Sequence, residues 1–205
     1  MRYIIMADGE GKRWGNYLGI PKHLIEIDGE PIIKRTVRLL KENGIKDEDI
    51  FITSRDERYV WAQRILQTVR DCEIDRFEES IVNGPVCYMY GDVYYTEDAM
   101  KTIVNYETDD IMFFGSDWEI YAIKAQNIKH FLKEKNKVKN KYIKGEINRC
   151  IGWEIYRSIY GLLLEDEMDF EKHIITDGYV KILDETFDFD TPEDYDEWIE
   201  LYNKK

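Results

Sequence analysis

The chain has 205 residues, and its 29 Lys and Arg against 42 Asp and Glu leave a net charge of -13. That length suits one enzyme-sized domain, residues 1–205, whose core needs no disulfide or metal staple. The acidity argues against nucleic acid or an anionic membrane surface as the main partner, so an anionic ligand has to be held by local design.

The residues Tyr3 to Ala7 read as a buried opening strand, and Ile25 to Ile27 as a short extended piece before the turn at Asp28-Gly29. Pro31 suits the first turn of a helix whose apolar positions are Ile32, Ile33, Val37, Leu39 and Leu40, with Gly44 as its stop. Ile50 to Thr53 is a second strand, and Tyr59 to Val69 is expected to form a second amphipathic helix. The apolar run Val86 to Tyr90, ending at Gly91-Asp92, reads as a central parallel strand covered on both faces. Thr96 caps a helix through Val104, with Glu97 and Asp98 in its first turn. Strands follow at Ile111 to Phe114 and Tyr121 to Ile123, then a helix at Asn127 to Glu134.

Residues 133–144 are rich in Lys and Asn with little apolar pattern, and are expected to be an exposed basic flap that closes over the site. A helix is expected from Glu146 to Leu164, a strand at Tyr179 to Leu183 and a terminal helix from Pro192 to Tyr202. This alternation predicts a three-layer α/β/α fold with a mostly parallel mixed sheet, whose ligands lie beyond the carboxyl ends of the strands. The cysteines Cys72, Cys87 and Cys150 are far apart in sequence and read as reduced, buried thiols of a cytoplasmic protein. No segment has the length of a membrane span or a signal-peptide core. His23, His130 and His173 have no metal-ligand spacing.

The stretch Met6-Ala7-Asp8-Gly9-Glu10-Gly11-Lys12-Arg13-Trp14-Gly15 is a glycine-rich turn leaving the first strand, a place where backbone N–H groups can cradle phosphate. The nucleoside-triphosphatase loop fails, because Met6 stands where its first glycine belongs and Arg13 where its Ser or Thr belongs. The dinucleotide fingerprint fails at Trp14 and lacks an acidic residue after the second strand, where Thr53-Ser54-Arg55 stands. What remains is Gly9-x-Gly11-x-Arg13 followed by Pro21-Lys22-His23-Leu24 and Gly29-Glu30-Pro31, then Tyr90-Gly91-Asp92-Val93, then Asp188-Phe189-Asp190-Thr191-Pro192-Glu193-Asp194.

In that order these motifs resemble the sugar-nucleotidyltransferase superfamily, in its MobA-like, cytidylyltransferase-like branch. The resemblance implies a Rossmann-like nucleotidyltransferase fold and transfer of a nucleoside monophosphate from a triphosphate, CTP favoured, to a phosphorylated small acceptor, with release of pyrophosphate. The product would be an activated NDP- or CMP-linked building block for a surface polysaccharide or similar polymer. The nucleotide is expected on Ala7, Asp8, Gly9, Glu10, Gly11, Lys12, Arg13 and Lys22, with Arg13 and Lys22 neutralising charge during transfer. Mg²⁺ is expected on Asp92 and Asp190, with Asp188 as second choice, because this cation commonly takes one or two carboxylates and leaves the rest to substrate phosphates.

The period-two spacing of Asp188 and Asp190 aims both carboxylates one way while Phe187 and Phe189 point into the core; Asp190 or Thr191 also suits the cap of the last helix. An acceptor pocket is expected around Trp118, Glu119, Tyr121, Arg149 and Trp153, suited to a small polar or amine-bearing acceptor such as phosphocholine. Asp8 departs from the family, where a small residue is usual, and sets a carboxylate beside the phosphates. Two rivals stand beside this reading: a nucleotide-sugar-dependent glycosyltransferase, and a catalytically silent nucleotide-binding module. The sequence leaves open whether the chain works alone or as a homodimer.

Overall fold

Seven strands make the central sheet of the computed structural model, which describes residues 1–9, 11–67, 71–165 and 178–204. In chain order the elements are β1 (Arg2–Met6), β2 (Glu26–Ile27), β3 (Glu30–Pro31), α1 (Ile32–Glu42), β4 (Ile50–Thr53), β5 (Gln63–Ile65), β6 (Val86–Tyr90), β7 (Val93–Tyr94), α2 (Glu97–Asn105), β8 (Ile111–Gly115), β9 (Ile120–Ala125), α3 (Ile128–Ile143), α4 (Gly152–Ile159), β10 (Tyr179–Lys181), β11 (Phe187–Asp188) and α5 (Pro192–Tyr202). The sheet order is β10-β8-β9-β6-β1-β4-β5, and β9 alone runs antiparallel to its neighbours. Every residue of β4, β6 and β8 is buried, which is why these strands read as unbroken apolar runs. Helices pack in two pairs, α1 with α2 and α3 with α4, giving the expected three-layer, mostly parallel fold.

A second apolar cluster lies apart from the sheet. Trp14, Ile25, Ile27, Ile32, Tyr94, Phe189 and Trp198 pack together and tie the opening loop, β7 and α5 into one unit. Trp14, the residue that breaks the dinucleotide fingerprint, is therefore the loop's anchor: it is buried and its indole N–H donates to the Ile20 carbonyl at 2.9 Å. No described helix is long and apolar enough to cross a membrane.

Four expectations need correction. The helix placed at Tyr59 to Val69 is absent among its described residues: Asp56 accepts from the Arg58 backbone N–H in a local turn, and Gln63–Ile65 pairs in parallel with Phe51 to Thr53 as the sheet's edge. Residues 68–70 lie outside the described part. The basic flap is a helix instead. Residues 133–143 continue α3, whose buried face is Phe131, Glu134, Lys135 and Val138; the Lys135 stem packs inward while its ammonium reaches the Phe77 carbonyl (3.0 Å) and Glu79 (2.6 Å). The Glu146 to Leu164 helix shortens to α4, because the backbone N–H groups of Asn148 and Arg149 turn to the Glu165 carboxylate and Gly161 takes φ +68. Finally, Cys72 and Cys150 are remote in sequence but adjacent in space, their Sγ atoms 2.9 Å apart, and Cys72 is only half-buried.

Candidate functional site

The carboxyl end of β6 meets that of β1 through Gly91, whose N–H donates to the Met6 carbonyl at 3.0 Å. A Cβ at Gly91 would lie 2.7 Å from that oxygen, so only glycine permits the approach that aims Asp92 over the strand ends. Beyond it, β7 pairs antiparallel with β11, setting Asp188 opposite Val93, and the Phe189 N–H donates to the Asp92 carbonyl at 3.2 Å. Thr191 caps α5 by accepting from the Asp194 N–H, and Asp194 returns a bond to the Thr191 N–H. The capping role thus falls to Thr191, and Asp190 remains turned toward the cleft. Phe189 is fully buried as expected, whereas Phe187 is exposed.

This pairing brings oxygens of Asp92, Asp188 and Asp190 within 4.8 Å of one another. Burial works to raise the Asp92 carboxyl, but the ammonium of Lys22, with His23 and Arg76 behind it, brings it down to about 2. Asp188 goes the other way, pushed well up by burial and by the charge of Asp92. Its Oδ1 is buried without a hydrogen-bond partner. Lys22 contacts the Asp92 carboxylate and lies 3.4 Å from Asp190, which also accepts from Arg13 at 2.7 Å.

A cleft of about 420 Å³ opens along the glycine loop and holds Asp8, Gly9, Gly11, Lys12, Arg13 and Lys22 on one side, with Asp92 and Asp190 at its floor. Glu10 lies outside the described residues. Ala7 is not part of this wall: it is buried and its N–H donates to Thr53, so it secures β1 to β4. The Asp8 carboxylate faces the cleft with the Arg55 guanidinium 3.7 Å away. His23, passed over in the sequence, is buried beside Lys22; its Nδ1 meets the Tyr59 hydroxyl at 3.0 Å, and burial lowers its pKa to about 4.

A second cleft of about 310 Å³ shares Arg13, Lys22, Asp92 and Asp190 with the first and extends to Trp118, Glu119 and Trp153. Trp118 is 70% exposed, and Trp153 stacks on Tyr179 with ring centroids 5.8 Å apart. Burial, then the charge of Asp190, raises Glu119 to about 7. Two of the expected acceptor residues sit elsewhere. Tyr121 is buried with its hydroxyl on the Thr186 carbonyl, and Arg149 turns to Glu154 at 3.5 Å. Tyr121 lies in β9, every residue of which is buried, and the charged Glu154 draws Arg149 aside. The walls common to both clefts also include Glu73 and Arg76, which sequence reasoning missed because the turn at Glu73–Arg76 carries no periodic pattern.

No family model matches the chain. Over 58 residues it is 45% identical to the bifunctional IPC transferase and DIPP synthase of Thermococcus kodakarensis, a match covering 28% of this chain and 12% of that protein. Three solved structures superpose over nearly the whole chain. A UDP-glucose pyrophosphorylase complexed with UDP-glucose gives a TM-score of 0.64 at 14% identity, covering 99% of this chain and 98% of that one. The CTP:phosphocholine cytidylyltransferase from Streptococcus pneumoniae gives 0.57 at 15% identity, covering 98% of each chain. The inositol-1-phosphate CTP transferase from T. maritima gives 0.51 at 12% identity, covering 98% and 94%. The chain has the nucleotidyltransferase fold, Rossmann-like with a mostly parallel mixed sheet, to which its motifs pointed.

Proposed function

We propose that the chain is a Mg²⁺-dependent nucleotidyltransferase that joins a nucleoside monophosphate from an NTP, with CTP favoured, to a phosphorylated small acceptor. The observation that carries this reading is the junction of two clefts at Asp92 and Asp190, with Lys22 and Arg13 lining both. Such a junction suits a reaction in which two anions must meet at one phosphorus. Two structures of this fold, a CTP:phosphocholine cytidylyltransferase and an inositol-1-phosphate CTP transferase, support CTP and an acceptor of that kind. The product would be a CMP- or NDP-linked building block for a surface polymer.

A phosphate monoester, with second pKa about 6, is mostly dianionic at neutral pH, so its oxygen needs no general base. That oxygen forms a bond to the α-phosphorus while the bond to the β-phosphate oxygen breaks and pyrophosphate leaves with the electron pair. The demand on the protein is alignment and charge neutralisation. Lys22 and Arg13, which line both clefts, would neutralise charge on the phosphates. Three converging carboxylates, one with an oxygen lacking a hydrogen bond, suit a hard divalent cation held by Asp92 and Asp190 with Asp188 behind them. When bound by these residues, Mg²⁺ would supply positive charge that offsets the charge of the phosphates.

The test is pyrophosphate release from CTP, UTP, GTP, ATP and dTTP with Mg²⁺ and a panel including phosphocholine, inositol 1-phosphate and glycerol 3-phosphate. One observation favours a second reading: Asp8 lines the same cleft as Arg13, as suits a silent nucleotide-binding module. Saturable nucleotide binding without pyrophosphate from any combination would select it.

A further inference from the structure

Three cations line both clefts: Arg13, Lys22 and Arg76. In this structure the first two are engaged by the aspartates, Arg13 with Asp190 and Lys22 with Asp92 and Asp190. Arg76 differs. Among the described residues no carboxylate lies within ion-pair distance of it, and its guanidinium instead rests over the Tyr90 ring, 5.3 Å from the centroid. Burial works against its charge and the acids Glu73, Asp92 and Asp188 favour it from a distance, so the guanidinium is held charged with its hydrogen-bonding fork open to an anion.

The position is built. The Gln67 side chain donates to the carbonyls of Asp75 (3.0 Å) and Arg76 (2.9 Å), and the Asp75 carboxylate accepts from Lys139 at 2.6 Å and from the backbone N–H groups of Asp71 and Cys72. Underneath, Tyr90 is the last residue of β6, and its hydroxyl occupies space that a Cβ at Gly152 would enter at 2.6 Å. Arg76 therefore stands on the strand end that also carries Asp92. It faces the second cleft, where Glu73, Glu119 and Asp188 join Asp92 and Asp190, and where the other two cations, Arg13 and Lys22, are already paired with aspartates. A phosphate dianion entering that cleft meets repulsion from Asp92 and Asp190, and the planar fork of an arginine not engaged by an aspartate is the group suited to receive it bidentately.

We propose that Arg76 is the phosphate-binding residue of the acceptor cleft, holding the monoester phosphate that attacks. The proposal rests on the nucleotidyltransferase reading for the word acceptor, while phosphate binding itself is measurable without turnover. Inorganic phosphate is titrated calorimetrically into the whole chain saturated with CMP and Mg²⁺, and CTP·Mg²⁺ separately, for the wild type, Arg76→Ala and Arg76→Lys. The expected result is at least a tenfold loss of phosphate affinity in Arg76→Ala, partial recovery in Arg76→Lys, CTP affinity within twofold, and an unchanged thermal midpoint for Arg76→Lys. With phosphocholine or another accepted phosphomonoester, the acceptor KM rises at least tenfold in Arg76→Ala while the KM for CTP holds. Absence of phosphate binding in the wild type, unchanged phosphate affinity in Arg76→Ala, or an equal loss of CTP affinity overturns the proposal. Absence of pyrophosphate release by the wild type, with the phosphate result as expected, sinks the nucleotidyltransferase reading and leaves Arg76 as a phosphate ligand.

Discussion

The Lys22 ammonium is in direct contact with the Asp92 carboxylate, and both side chains are nearly buried, at 11% and 12% exposure. The pair keeps Asp92 ionised where burial alone would protonate it, and Lys22 holds a positive charge at the place where three carboxylates converge. A divalent cation held by Asp92 and Asp190, as proposed, would therefore compete with this ammonium for the same oxygens.

From that competition, Lys22→Met is expected to abolish pyrophosphate release and to lower stability without metal by about 3 kcal/mol, since it leaves a buried carboxylate uncompensated. Adding Mg²⁺ should raise the melting temperature of this variant by several degrees more than that of the wild type. Equal shifts in the two proteins would show that Lys22 and the cation do not share ligands.

Asp188 supplies a second expectation. Its carboxyl is raised by burial and by the neighbouring charge of Asp92, so the folded state keeps its proton above the ordinary carboxylate range. Between the ordinary pKa and the raised one, the folded chain binds more protons than the unfolded chain, and the stability contributed by this group falls as pH rises. Asp188→Asn should stabilise the metal-free protein at pH 8 by about 1–3 kcal/mol in urea melts, and should weaken Mg²⁺ binding measured by calorimetry. A destabilised Asn variant at pH 8 would contradict the account.

His23 works with the opposite sign. Burial lowers it from 6.5 to about 4, so the unfolded chain takes up a proton that the folded chain refuses. The contribution is complete above pH 6.5 and lost as pH falls toward 4, by about 3 kcal/mol at 1.36 kcal/mol per unit. Denaturant melts of His23→Gln over that window should show a flatter slope than the wild type. Parallel slopes would assign the acid sensitivity to other groups.

Glu119 faces the second cleft with a pKa raised to about 7. For an acceptor that carries a quaternary ammonium group, such as phosphocholine, KM is expected to fall as pH rises from 6 to 8 and Glu119 ionises beside Trp118 and Trp153. Glu119→Gln should remove that pH dependence relative to an acceptor without an ammonium group, such as glycerol 3-phosphate, whose KM it should leave unaffected. A pH dependence that survives in the Gln variant would mean the cation is read elsewhere.

In α3, Lys135→Ala should destabilise the chain by about 1–3 kcal/mol, because its buried ammonium bonds the Phe77 carbonyl and Glu79. Alanine at the exposed Lys133 or Lys144 should change neither stability nor substrate KM. A KM change at those two positions would revive the mobile basic flap.

The sequence by itself determined the buried strands at the centre of the sheet. Apolar runs at Ile50–Thr53 and Val86–Tyr90 can be buried on both faces in only a few ways, and Gly9, Gly11 and Arg13 in the loop after β1, Asp92 after β6 and Asp190 after β11 were legible because the motifs are local. Local chemistry also made Thr191 and Pro192 legible as a helix start. Tertiary structure decided what depends on residues distant in the chain. Gln63–Ile65 became a strand because Phe51 to Thr53 offered an unpaired edge, and a helical pattern could not compete with that pairing. Lys135 became a core residue because Phe77 and Glu79 satisfied its charge. Arg76, in a turn without periodicity, reached the junction of the two clefts only through Tyr90 beneath it and the Gln67 side chain on its carbonyl. Charge in a sequence reads as surface until a partner far along the chain removes it from water, and the pairing that does so is visible only in the folded molecule.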